Sequence, residues 1–267
     1  MRTALTIAVS ITIPATFIVI TILSRQVMPF AACKMSNNSE KKFAAVLPAG
    51  GLGKRMGASL PKQLLKLGEK PVYQYALETF AQMPEIQEVV LAVPTDWKSH
   101  FEEELSHFPL AKKIKIVVGG KERWQSVRNG IEALSPDIDF VLVHDVARPF
   151  LSKELILQVM ETLKNQGACL VAKPAVDTVK IAKDGKVLQT IPRETVYLAQ
   201  TPQAASVKIF RSLYQKIDAN PLDFLPTDEA SILEHFSIPV FIVNGNSQND
   251  KLTTPDDFKK FLATLEA

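Results

Sequence analysis

Phe43-Ala44-Ala45-Val46-Leu47-Pro48-Ala49-Gly50-Gly51-Leu52-Gly53-Lys54-Arg55-Met56-Gly57, closed by Pro61-Lys62-Gln63, is the stretch from which the fold is read. The apolar run Phe43 to Leu47 predicts a first strand, and Gly50, Gly51 and Gly53 follow it at once. Glycine lets a backbone turn tightly and brings its N–H groups close to an anion. Arg55 and Lys62 then meet negative charge from the side, so the natural ligand is a polyphosphate. Spacing excludes two common cradles. No glycine is followed by Gly-Lys-Ser/Thr as a P-loop requires, and Gly57 falls one residue late for the dinucleotide pattern Gly-x-Gly-x-x-Gly.

Outward from this loop, short β-branched runs alternate with amphipathic segments. Val72 to Met83 carries apolar residues at 72, 76, 77 and 80, a helical spacing. Val89–Val93 predicts a second strand, and Thr95 an N-cap for a helix bearing Trp97, Phe101, Leu105 and Phe108. Ile114–Val118 predicts a third strand ending at Gly119-Gly120; Trp124, Val127, Ile131 and Leu134 stripe the next helix, with Trp124 as a core anchor. Phe140–Val143, a helix capped by Ser152, and Ala168–Ala172 continue the alternation. Such alternation predicts right-handed βαβ units, a mostly parallel sheet and a ligand beyond the carboxyl ends of its strands. The rhythm then breaks at Val179-Lys180-Ile181-Ala182 and Val187-Leu188, which flank Lys183-Asp184-Gly185-Lys186. Asp-Gly there predicts a hairpin inserted into the domain. Helices over Ser206–Ile217 and Asp228–Phe236, a strand at Val240–Val243 and a last helix from Thr254-Pro255 complete the chain.

The 267 residues suffice for one large domain or two small ones, and a net charge of +3 is too weak to point to nucleic acid. Cys33 and Cys169 are far apart and in no metal-binding pattern, which argues against a disulfide framework or a zinc site. Cys169 lies in an apolar run and reads as a core thiol. Residues 3–24 carry no charge, but they are rich in Thr and contain Pro14. Three origins fit residues 1–41: an upstream extension with Met35 the working start, a membrane or signal segment, or an organelle-targeting leader. All three place residues 1–41 outside the catalytic fold.

Pro48-Ala49-Gly50-Gly51-x-Gly53-x-Arg55-Met56-Gly57 with Pro61-Lys62-Gln63 resembles the sugar-nucleotide pyrophosphorylase-like nucleotidyltransferases. Further motifs follow in order: Gly119-Gly120-x-x-Arg123-x-x-Ser126-Val127, His144-Asp145-x-Ala147-Arg148-Pro149, Asp177-Thr178-Val179-Lys180, Gln200-Thr201-Pro202-Gln203 and Thr227-Asp228-Glu229-Ala230-Ser231. Together they resemble the 2-C-methyl-D-erythritol 4-phosphate cytidylyltransferase family over roughly residues 43–265. The resemblance implies a single Rossmann-like α/β domain over 42–267, with a β-arm at about 175–197 that joins two copies into a homodimer. It implies transfer of CMP from CTP to methylerythritol phosphate with Mg²⁺, in the cytoplasm. Residues 1–41 leave a membrane-anchored or plastid-targeted alternative, with membrane contact only if 3–24 are retained.

The same resemblance implies the site. Arg55, Lys62, Arg193 and Lys251 are the catalytic residues it points to. Pro48, Ala49, Gly50, Gly51, Gly53, Gly120, Ser126 and Asp145 bind CTP, and Thr178, Arg193 and Lys251 bind the second substrate. Asp145 is the candidate metal ligand; its alternative is an ion pair with Arg148 that shapes the loop. Ser126 has the alternative of an ordinary polar residue at a helix start. Phosphoryl chemistry supports Arg55 and Lys62 independently, since the transition state gathers negative charge and needs no covalent nucleophile. His144 reads as structural, because an attacking phosphate oxygen is already ionised. Two departures stand out. Asp250 replaces an apolar residue beside Lys251, and Gly51 leans toward the ribitol-5-phosphate cytidylyltransferases. Glu229 pulls the reading back toward methylerythritol phosphate.

Overall fold

The structure, a computed structural model, describes residues 41–50 and 61–266. Residues 3–24, Cys33, Met35, Gly51, Gly53 and Arg55 lie outside the described residues. In chain order the elements are β1 (Phe43–Pro48), β2 (Lys66–Leu67), β3 (Lys70–Pro71), α1 (Val72–Ala81), β4 (Ile86–Val93), α2 (Lys98–Ser106), β5 (Ile114–Val118), α3 (Arg123–Glu132), β6 (Phe140–Val143), α4 (Lys153–Gln166) and β7 (Ala168–Pro174). They continue with β8 (Val179–Lys183), β9 (Lys186–Ile191), β10 (Tyr197–Ser206), α5 (Val207–Ala219), α6 (Glu229–His235), β11 (Phe241–Asn244) and α7 (Pro255–Glu266).

The main sheet has seven strands in the order β11-β7-β10-β6-β1-β4-β5. β1 lies at its heart, parallel to β4 and β6. Every residue of β1 is buried, because crossover helices cover both faces. Successive side chains of a strand point to opposite faces. Phe43, Ala45 and Leu47 therefore join one core with Leu77 and Phe80 of α1, Phe101 of α2 and Val159 of α4. Ala44 and Val46 join the other, with Val127 and Ile131 of α3, Phe210 of α5 and Leu233 of α6. Gly130 lets α3 settle on β1: a Cβ there would stand 2.5 Å from Val46 Cγ1. A third, smaller cluster packs Leu67, Val72, Ala147 and Leu252 with Phe261 of α7. It clamps the loops after β6 and β11 together.

Most predicted elements are present, and the differences have physical reasons. Ser152 caps α4 as its type predicts, its Oγ accepting from Leu155 N at 3.2 Å. The hairpin β8–β9 turns at Asp184 (φ 50°) and Gly185 (φ 75°), both in the left-handed region that a tight hairpin needs. Thr95 is not a helix cap. A 3-10 turn over Thr95–Trp97 comes first, drawing Trp97 onto the core, and α2 starts at Lys98. The largest difference is β10, a strand antiparallel to both β6 and β7 inside an otherwise parallel sheet. Gln200-Thr201-Pro202-Gln203 lies in it, with a cis peptide at Thr201-Pro202. Proline inside a run argues against a central strand, so this strand leaves no readable sign in the sequence. The ladder to β7 breaks its register between Ala199 and Gln203, where Pro202 sits. Among the described residues, no helix is long and apolar enough to cross a membrane.

Candidate active site

The strand ends of the parallel half meet at a cleft of about 250 Å³. Of the residues predicted from sequence, Pro48, Ala49, Gly50, Lys62, Gly120, Ser126, Asp145 and Lys251 all line it. These come from loops as far apart in the chain as Pro48 and Lys251 and converge because β1, β5 and β6 point the same way. Thr178 and Arg193 do not line it. Both are exposed beside the β8–β9 hairpin, where Arg193 Nη1 donates to Val176 O at 2.9 Å.

The loops continue the strand ladder before they turn. Ala49 N donates to Ala92 O at 2.7 Å and Gly119 N to Val93 O at 2.8 Å. The buried Gln63 side chain donates to Ala49 O, which pins the 3-10 turn Lys62–Leu64 under the first loop. That turn carries Lys62 into the cleft, and its Nζ donates to Leu252 O at 3.1 Å. On the opposite wall, Ser126 Oγ accepts from Gly120 N at 3.0 Å. A Cβ on Gly119 would sit 2.8 Å from that oxygen, so only glycine admits the contact. Ser126 thus shapes the Gly119-Gly120 turn while lining the cleft. Glu122 and Gln125 cap the start of α3 reciprocally. Trp124 packs against the core below, as its spacing predicts.

Asp145 follows β6 and is held by two cations. Arg123 Nε lies 2.9 Å from Oδ1 and Lys251 Nζ 2.5 Å from Oδ2. This corrects the alternative of an ion pair with Arg148. The Arg148 guanidinium instead donates to Asn249 O at 2.8 Å and Ala199 O at 3.4 Å, fastening the Lys251 segment to the loop after β6. Burial alone would raise the Asp145 carboxyl, but Arg123 and Lys251 hold it well below the usual carboxylate range. The remaining face of Arg123 is bidentate to Glu229, at 2.8 and 3.0 Å. Glu229 is completely buried, and burial pushes its carboxyl above its ordinary value against the pull of Arg123.

Sequence reasoning missed Arg123 and Glu229 as members of this network. A signal existed, since a cation on the first residue of a helix opposes the helix dipole and calls for a partner. Asp250, beside Lys251, points elsewhere. It bonds Lys173 Nζ at 2.5 Å and Gln200 Nε2 at 3.2 Å. Its charge is thus answered by β7 and β10.

Among the described residues no group of three His, Cys, Asp or Glu side chains could hold a metal ion. Both oxygens of Asp145 are engaged.

His144 is fully buried behind the cleft, as its structural reading requires. His144 Nε2 lies 3.0 Å from Arg148 O, which can only accept, so Nε2 carries the ring proton. Nδ1 then accepts from the Thr201 hydroxyl at 3.0 Å, while Thr201 Oγ1 accepts from Asp145 N at 3.1 Å. The imidazole locks the ends of the Asp145–Arg148 turn in one tautomer. Burial lowers its pKa to about 4. The unfolded chain takes up this proton below about pH 6.5 while the folded one refuses it until about pH 4. Stability conferred by the neutral ring is therefore complete above pH 6.5 and falls by about 3 kcal/mol by pH 4. Urea titrations across this range should show wild type losing more stability than His144→Gln; parallel losses would contradict the assignment.

A family model for 2-C-methyl-D-erythritol 4-phosphate cytidylyltransferase matches residues 43–266. The protein of that name from Geobacter metallireducens is 40% identical over 217 residues, 80% of this chain and 93% of its own. The one from Syntrophus aciditrophicus is 38% identical, over 81% of this chain and 92% of its own. The crystal structure of 4-diphosphocytidyl-2C-methyl-D-erythritol synthase from Anaerococcus prevotii superposes with a TM-score of 0.74 at 32% identity, covering 85% of this chain and all of that one. The match opens on the first residue of β1, closes on the last of α7 and takes in every loop of the cleft, so the chain belongs to the 2-C-methyl-D-erythritol 4-phosphate cytidylyltransferase family.

Proposed function

We infer that this chain transfers CMP from CTP to 2-C-methyl-D-erythritol 4-phosphate, releasing pyrophosphate and CDP-methylerythritol for isoprenoid precursor synthesis. The observation that carries this reading is the unbroken family match across the whole described fold, cleft included. The alternative acceptor, ribitol 5-phosphate, finds no support in the matched family or in these relatives.

A phosphate oxygen of the acceptor attacks the α-phosphorus of CTP. The new O–P bond forms as the bond to the β-phosphate oxygen breaks. The attacking oxygen is already ionised, so no side chain has to remove a proton. The protein must bring two anions together and then answer the charge on phosphorus and leaving group. The first loop beyond Ala49, whose own N–H is taken by Ala92 O, is proposed to hold the triphosphate, with Arg55 and Lys62 against the transition state. Gly120 and Ser126 form the wall for the base. Lys251 meets the acceptor phosphate. A Mg²⁺, with Asp145 as its candidate protein ligand, would neutralise part of the phosphate charge.

Thr178 and Arg193 are proposed to complete the acceptor site across a homodimer. The hairpin supports this, because Ile181, Val187 and Leu188 on it are exposed apolar side chains, as are Tyr197 and Leu198 at the start of β10. The catalytic unit is proposed to work in the aqueous phase, the cytoplasm in a bacterial cell, with membrane contact only through residues 3–24 where these are retained.

The test is pyrophosphate release by the purified full chain with CTP and Mg²⁺. Release with methylerythritol phosphate and little with ribitol 5-phosphate is expected; the reverse preference would overturn the acceptor assignment, and no release with either would overturn the activity.

A further inference from the structure

From the chain of contacts Glu229–Arg123–Asp145–Lys251 we propose that Glu229, which touches neither substrate, is the positioning residue that sets the acceptor-phosphate lysine. This rests on the functional reading above. Each link is a direct polar contact. Glu229 grips both terminal nitrogens of Arg123 at 2.8 and 3.0 Å, Arg123 Nε reaches Asp145 Oδ1 at 2.9 Å, and Asp145 Oδ2 reaches Lys251 Nζ at 2.5 Å.

The two ends differ in exposure, 0% for the Glu229 side chain against 36% for Lys251, with Arg123 at 26% and Asp145 at 11% between them. The fixed end is in the core and the working end is at the cleft. Glu229 is itself immobilised: it is the first residue of α6, and Asp228 caps that helix through Ser231 N.

A buried ion pair is a poor device for stability alone, since well-packed apolar residues do as well or better. Its gain here is direction. An arginine presents its donors in a rigid planar fork, so a carboxylate that takes both terminal nitrogens dictates where Nε points. With Glu229 in place, the Arg123 terminal nitrogens are turned inward to α6 and Nε is aimed at Asp145. Without it, the fork is free to swing into the cleft and take phosphate for itself. Asp145 would then lose its orienting partner, and Lys251 its parking place. Lys251 has to leave Asp145 for the incoming acceptor phosphate, so the strength and direction of that pair tune acceptor binding.

The expected signature is a split between the two substrates. In Glu229→Gln the KM for methylerythritol phosphate rises by about 10–100-fold, the usual cost of losing an orienting partner, while the KM for CTP stays within about twofold. Arg123→Gln/Glu229→Gln, which removes both charges together, regains the thermal stability lost in the single variant but keeps the raised acceptor KM. Arg123→Lys does not restore the wild-type value, because a point charge cannot serve two carboxylates in one plane. All are measured on the full chain by pyrophosphate release, with melting temperatures alongside. Three results would overturn the proposal. These are an unchanged acceptor KM in Glu229→Gln, equal rises in both KM values, or recovery of the acceptor KM together with stability in the double variant. A wild-type chain inactive on methylerythritol phosphate would instead remove the functional reading and this proposal with it.

Discussion

Lys62→Ala lowers kcat by about 10²–10³-fold while leaving CTP binding within a few-fold, the behaviour of a group that meets charge developing in the transition state. The geometry explains why so large an effect comes from one flexible side chain. Lys62 sits on a 3-10 turn whose next residue, Gln63, is buried and bonded to Ala49 O. Its ammonium is thereby fixed beside the loop that would hold the triphosphate. The Nζ contact to Leu252 O joins it to the segment carrying Lys251, and both lysines line the same cleft. Losing that contact leaves the segment in place, because Leu252 N still donates to Ala147 O at 2.7 Å and the Leu252 side chain is buried. The variant should therefore keep a melting temperature close to wild type. A kcat within threefold of wild type, or equal losses in kcat and CTP affinity, would contradict the role.

Lys251→Ala acts on the acceptor. Charge-assisted hydrogen bonds contribute about 1.5–3 kcal/mol, which predicts a rise of about 10–100-fold in KM for methylerythritol phosphate with little change for CTP. Asp250→Ala is the informative neighbour. By sequence alone an acid beside the lysine either weakens its pull on phosphate, so that removing it helps, or simply faces solvent. The structure predicts a change within about twofold in acceptor KM, since Asp250 is bonded to Lys173 and Gln200, not to Lys251. Steady-state kinetics of the two variants side by side decide the matter. An Asp250→Ala enzyme that binds the acceptor tenfold more tightly would instead support the weakened pull.

The site was more legible than its wiring. Glycines and Lys62 stand out because phosphate chemistry favours those types in such a loop, Lys251 is reached through the family resemblance, and Gly50, Gly120, Lys62 and Lys251 all line one cleft. Their partners do not stand out. Nothing local distinguishes Glu229 from any acid in the first turn of a helix, where acids are favourable anyway. Arg148 beside Asp145 reads as an adjacent pair, yet the chain turns between them, and Arg148 N donates to Asp145 O at 2.9 Å. Their side chains then serve different segments. Thr178 and Arg193 lie outside the described cleft, exposed beside the hairpin.

Sequence alone determined the alternation of strand and helix and the two-residue turn at Asp184-Gly185, and it pointed to the first loop as the candidate phosphate cradle. Each of these follows from short-range physics: side-chain periodicity, allowed backbone angles, the need of an anion for N–H groups. Tertiary structure decided what depends on residues far apart in the chain. It placed β10 antiparallel between β6 and β7, against the local sign of Pro202. It gave Asp145 the partners Arg123 and Lys251 in place of Arg148 and turned Asp250 away from the site. The physical reason is that propensity acts along the chain within a few residues, whereas a buried charge takes whichever opposite charge the packing brings within reach.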